Sequence, residues 1–165
     1  MRKLYPIIVV CLIISGFFYY NSERSVYVSS SSGCQVYFVD RQLHRLIPNF
    51  ISSEKTKEKT AEKIVEEIIR GRDNNSEILR IVPNIEECIS VEISGEIAHV
   101  NLSGELTGKL NKSRDTEKLF VYQLVNSLVS VDGIEYVSFT VDGEVKKDFL
   151  GFLDMRGLFS ADYDV

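Results

Sequence analysis

The sequence predicts an α+β fold: a small mixed β-sheet with two helices packed on one face, in the order β-β-α-β-β-α-β, behind an N-terminal transmembrane helix. Three observations predict it. Apolar residues recur at helical spacing over residues 61–69 and again over 120–129. Runs rich in β-branched and aromatic residues flank both stretches, at 34–47, 88–102 and 136–141. The first twenty residues are of a different composition from everything that follows.

Met1, Arg2 and Lys3 form a basic head, and residues 4–20 then carry no charge. At about 1.5 Å per residue those residues span about 25 Å as a helix, the low end of what crosses a bilayer. A cleaved signal peptide is the natural competitor. However, the apolar run closes on Phe17, Phe18, Tyr19 and Tyr20, which suit a membrane interface, and no small-x-small pair follows. Lipid attachment at Cys11 is a third route, weakened by Val10 before it. The adopted reading is an uncleaved anchor at 1–20, membrane contact through residues 4–20, and a single-pass protein of the cell membrane. The basic head then stays in the cytoplasm and residues 21–165 lie outside. Residues 21–33, with Ser29 to Ser32 and Gly33, read as a flexible linker. Residues 34–165 form the extracytoplasmic domain.

Gln35 to Val39 is the first strand, Asp40, Arg41 and Gln42 turn the chain, and Leu43 to Ile47 return as a hairpin partner. Pro48 cannot donate to a ladder, so it marks that strand's end. Ala61, Ile64, Val65, Ile68 and Ile69 make the stripe of the first helix, with Glu58, Lys59, Glu62, Lys63, Glu66 and Glu67 on its wet side. Arg70 and Gly71 close it. Residues 73–76 are a loop and 81–83 a short extended segment. Residues 88–93 and 97–102 form a hairpin about Ser94 and Gly95. The second helix runs from about Arg114 to Ser130, on Phe120, Val121, Leu124, Val125, Leu128 and Val129. Asp132 and Gly133 break it. Residues 136–141 are the last strand, turned by Asp142 and Gly143, and 149–159 is apolar but irregular.

No residue set announces a reaction. The chain has 165 residues and net charge −5, which argues against a nucleic-acid footprint. Ser52-x-x-Lys55 matches a penicillin-recognition motif but lacks its companions. His44 and His99 lie 55 positions apart, outside any nucleophile or metal context, and read as strand residues. Asn-x-Ser at Asn74, Asn101 and Asn111 is a chance-level match. We expect no catalytic residues, no metal and no cofactor. Cys34 and Cys88 read as buried thiols, although an oxidising compartment permits a disulfide.

The second helix carries the one functional clue. Beyond Lys118 its polar side holds Gln123, Asn126, Ser127 and Ser130, with Tyr122 alongside, and no charge. An uncharged polar strip with a tyrosine suits a partner surface. It also suits a strip covered by the chain's own segment around 149–159, since that apolar stretch needs somewhere to pack. Both readings stay open, and the five residues are the candidate interaction surface.

Several pieces together resemble the GerM domain family of sporulation and spore germination. They are residues 95–103 (Gly-Glu-Ile-Ala-His-Val-Asn-Leu-Ser), 124–128 (Leu-Val-Asn-Ser-Leu), Val131-Asp132-Gly133-Ile134 and Val141-Asp142-Gly143. Leu46-Ile47-Pro48, Ile81-Val82-Pro83 and Leu153-Asp154 are weaker matches. Family members commonly carry Gly-Pro after the first helix, where Arg72 follows Gly71 here. The resemblance implies a fold similar to ring-building motifs and a non-enzymatic assembly or interaction module of the bacterial envelope. Its implied partners are envelope or sporulation proteins, or further copies of itself. The alternative is an extracytoplasmic ligand- or glycan-binding module near the Asp142-Gly143 turn.

Overall fold

Hydrophobic periodicity and turn chemistry place most elements where the structure has them. In the computed structural model, which describes residues 33–72, 75–83 and 88–165, the elements run in the following order. They are β1 (Gly33–Asp40), β2 (Leu46–Ser52), α1 (Lys57–Arg70), β3 (Ile78–Leu79), β4 (Ile89–Ser94), β5 (Ile97–Leu102), a 3-10 turn (Gly104–Gly108), α2 (Arg114–Val129) and β6 (Tyr136–Val141). The expected β-β-α-β-β-α-β order is present, with β3 and the 3-10 turn added.

The sheet architecture differs from the expectation. There are two three-stranded sheets, ordered β2-β1-β3 and β4-β5-β6, in place of one. The first is antiparallel. In the second, β4 and β5 form the hairpin, and β6 returns parallel to β5 after the α2 crossover. The physical reason lies on β1. Its inner edge is shared between β3, paired only at Val39 and Asp40, and α2, so no further strand can extend that sheet. Nor do the helices sit on one face of one sheet. α1 packs against β1 and β4, and α2 against β1 and β6, so both helices join the two sheets around one core.

Pro48 does not end β2. It sits mid-strand, opposite Tyr37. The Tyr37 N–H points away from β2 into α2, so this pair lies at a site without ladder bonds. β2 is also an edge strand, and the missing N–H of Pro48 therefore faces outward, where proline is tolerated.

α1 follows its pattern closely. Thr56 caps it, accepting the Lys59 N–H at 3.3 Å, and Ala61, Ile64, Val65 and Ile68 are buried. Gly71 ends it at φ +67, with the Arg80 side chain 2.6 Å from where a Cβ would stand, so only glycine fits. The outer edge of β6 is closed by Phe159 at Val137 and by Glu144 at Val141. Cys34 and Cys88 are buried thiols; burial pushes the Cys34 thiol pKa up. The expected anchor at 1–20 and the linker up to residue 32 lie outside the described residues. Among the described residues, no helix is long and apolar enough to cross a membrane.

Candidate functional site

The candidate strip is interior surface. Gln123, Asn126 and Ser127 are buried, and Tyr122 and Ser130 half-buried. α2 is enclosed on nearly every side, so the lack of charge along it reflects coverage. Two different parts of the chain do the covering. Toward β1, Ser127 Oγ accepts the Tyr37 N–H at 2.8 Å and donates to the Gln123 carbonyl at 2.6 Å. Ser130 Oγ accepts the Gln35 N–H at 2.9 Å. These hydroxyls take the place of a neighbouring strand along an edge that β3 is too short to reach. Toward the other side, Asn126 Nδ2 donates to the Asp162 carbonyl at 2.7 Å, and its Oδ1 accepts the Asp162 N–H at 3.0 Å. The Tyr122 ring meets Phe159 edge-on at 6.2 Å. Burial, and secondarily the Asp162 carboxylate, push the Tyr122 hydroxyl pKa up. Gln123 Oε1 is buried without a hydrogen-bond partner.

Ser127→Ala strands the buried Tyr37 N–H and is expected to lower the unfolding free energy by about 2 kcal/mol. Ser130→Ala, at a half-buried site that water can reach, is expected to lose about half of that. Equilibrium urea unfolding of both variants checks the order; a larger loss at Ser130 would contradict it.

Glu117 was not singled out in the sequence, yet it is the most committed polar side chain in the domain. It is fully buried at 0% exposure. Its Oε1 accepts the N–H groups of Phe149 at 3.2 Å and Leu150 at 2.6 Å. Its Oε2 accepts those of Phe152 at 2.8 Å and Leu153 at 2.9 Å. An irregular apolar segment offers unpaired backbone donors, and a buried carboxylate with four lone-pair sites satisfies them. The signal lay in the spacing: Glu117 precedes Phe120, Val121, Leu124 and Leu128 on one helical face, where a carboxylate has no business unless it is bonded.

The other flagged residues are dispersed. Ser52 meets Lys63 rather than Lys55: the Lys63 ammonium donates to its carbonyl at 3.0 Å and lies 2.6 Å from Glu54. His44 lines a cavity of about 300 Å³ with Leu43, Asp115, Lys118 and Leu119. His99 is exposed on the outer face of β5, its Nδ1 2.7 Å from Ser138 Oγ. Among the described residues, no group of three or more His, Cys, Asp or Glu side chains is placed to hold a metal ion.

Comparison with known proteins gives this architecture a family. The first GerMN domain of the Bacillus subtilis sporulation protein GerM has a similar fold, with TM-score 0.59 and 16% identity over 74% of this chain and 92% of that one. The tandem GerMN domains of the same protein give TM-score 0.62 and 17% identity; the match covers 78% of this chain and 45% of that longer one. A putative lipoprotein from Clostridium perfringens gives 0.57 and 21% identity over 78% of this chain and 86% of that one. No curated protein matches. The family model described as "Germane: Sporulation and spore germination" matches residues 35–147, from the third residue of β1 through β6 and its closing turn. The chain belongs to the Germane family of sporulation and spore germination domains.

Proposed function

We propose that the chain is a membrane-anchored assembly module of the envelope of sporulating bacteria, which binds envelope proteins or further copies of itself and catalyses no reaction. The observation that carries this reading is the family match over residues 35–147. The apolar residues 4–20 support anchoring, with the domain on the outer side. The outer face of the β2-β1-β3 sheet supports a binding role. There Phe50 is 76% and Tyr163 63% exposed, beside Pro48 and Tyr37. Aromatic side chains left exposed on a small domain suit an interaction surface, where such residues are enriched.

The test is the mass of the full chain in detergent micelles over a wide range of protein concentration, alone and with envelope extract of sporulating cells. Growth into larger species, or capture of a defined envelope protein, supports assembly. A strict monomer that captures nothing overturns it.

A neutral glycan is the second reading, favoured by the outer face of β4-β5-β6. The register aligns Glu92, His99 and Ser138 in one row and Ser90, Asn101 and Thr140 in the next. Asn101 Oδ1 accepts from Thr140 Oγ1 at 2.9 Å and from the Gly143 N–H at 2.8 Å, which ties this face to the Asp142-Gly143 turn. Saturable retention on purified wall material, lost in Asn101→Asp, separates this reading from the first.

A further inference from the structure

The chain contains the sequence Val-Asp-Gly twice, at residues 131–133 and 141–143. In an Asp-Gly pair the backbone can attack the aspartate side chain, because glycine has no Cβ to screen the attacking nitrogen. With the local sequence shared, the fold decides which pair reacts. Space does not separate them. Both aspartates are exposed, and nothing stands within 4 Å of where a Cβ would lie at Gly133 or Gly143.

Hydrogen bonds do separate them. The Gly143 N–H, whose nitrogen is the nucleophile, is tied to Asn101 Oδ1 at 2.8 Å. The carboxylate it would attack is held aside, since Asp142 Oδ1 accepts the Gly104 N–H at 2.8 Å. The Asp142 N–H donates to the Leu102 carbonyl at 2.9 Å, and Val141 and Glu144 close the turn with bonds of 2.8 and 3.1 Å. The other pair lies in the turn between α2 and β6, which is closed by one bond, from the Ile134 N–H to the Val131 carbonyl at 3.1 Å. Among the described residues, neither the Asp132 carboxylate nor the Gly133 N–H has a hydrogen-bond partner.

We propose that Asp132 is a site of spontaneous isoaspartate formation in the folded protein, and that Asn101 and Gly104 protect Asp142 from the same reaction. The Gly133 nitrogen gives up its proton and bonds to Asp132 Cγ, and one carboxyl oxygen leaves as water. Water then opens the resulting succinimide. Cleavage at Cγ restores aspartate. Cleavage at the α-carbonyl leaves the main chain running through Cβ and Cγ, with the α-carboxylate as the new side chain. Nothing is oxidised and the mass is unchanged, but the backbone is one carbon longer. That carbon enters between Val131 and Ile134, which are 5% and 3% exposed, so the bond between them opens and the start of β6 loosens. This modification is independent of the assembly reading and needs no partner.

The test incubates the full chain in detergent micelles at neutral pH, folded and in urea. Methyl transfer by isoaspartyl methyltransferase, followed by peptide mapping, reads the conversion at each site. In urea the two sites are expected to convert alike. In the folded chain Asp132 is expected to stay within about threefold of its unfolded rate, while Asp142 falls at least about tenfold below its own, because its bonds must break before the ring closes. Asn101→Ala is expected to raise conversion at Asp142 about fivefold, whereas Asn101→Asp keeps an acceptor for the Gly143 N–H and leaves it slow. Gly104→Ala places a Cβ 2.4 Å from Asp142 Oδ2, displaces the carboxylate and is expected to act like Asn101→Ala. Far-ultraviolet circular dichroism checks that each variant is folded. Equal rates at the two sites in the folded chain overturn the proposal, as does an Asp132 that converts only in urea. An Asp142 that stays slow in both folded alanine variants overturns the protective role of Asn101 and Gly104.

Discussion

Glu117→Ala is expected to lower the unfolding free energy by about 3 kcal/mol and the midpoint of thermal unfolding by roughly 10 °C. The carboxylate is wholly buried and accepts four backbone N–H groups from residues 149, 150, 152 and 153. Hydrogen bonds to an ionised acceptor are about twice as strong as neutral ones, and removing the acceptor leaves the donors unsolvated. Glu117→Gln recovers little. Its one carbonyl oxygen serves one pair of donors, while its NH₂ group faces the other pair and repels it. Both variants should expose residues 149–153 to protease before the rest of the domain. A loss below about 1 kcal/mol in Glu117→Ala would show that apolar packing alone holds this segment.

Phe120→Ala is expected to cost about 4 kcal/mol, the range found when a buried phenylalanine is truncated in a core that cannot collapse. Phe120 is 0% exposed and stacks on Phe149, centroid to centroid 5.5 Å with 22° between planes. The two rings join the helix to the segment that Glu117 holds, so their losses should not add. A double-mutant cycle with Phe149→Ala is expected to return a coupling of about 1 kcal/mol, the value of an aromatic pair beyond its buried area. Strict additivity would mean that the rings pack independently.

The local rules made the helices legible. α1 reads directly from its stripe and its closing glycine, and β1, β4, β5 and β6 from their β-branched runs. The residues that were misplaced depend on distant partners. Pro48 sits mid-strand because of where the Tyr37 N–H points, a fact set by Ser127. Two sheets form rather than one because α2 occupies an edge of β1 that a strand would otherwise extend. Glu117 is satisfied by donors more than thirty positions later. The lack of charge on α2 was visible, but composition does not distinguish a strip awaiting a partner from one already covered. Asn126 turns out to face the chain's own tail, and Ser127 and Ser130 face its first strand.

The serine-capped edge of β1 also bears on how the chain comes to be made. Tyr37 and Ser127 are 90 positions apart. At about 5–20 residues per second, a growing chain displays the first strand for roughly 5–20 s before the helix that closes it has been synthesised. During that interval the β1–β2 hairpin is a ribbon with one edge blunted by Pro48 and the other bare. A bare edge recruits strands from neighbouring chains. Slower translation, or arrest upstream of residue 127, should therefore raise the insoluble fraction without any change to the finished protein.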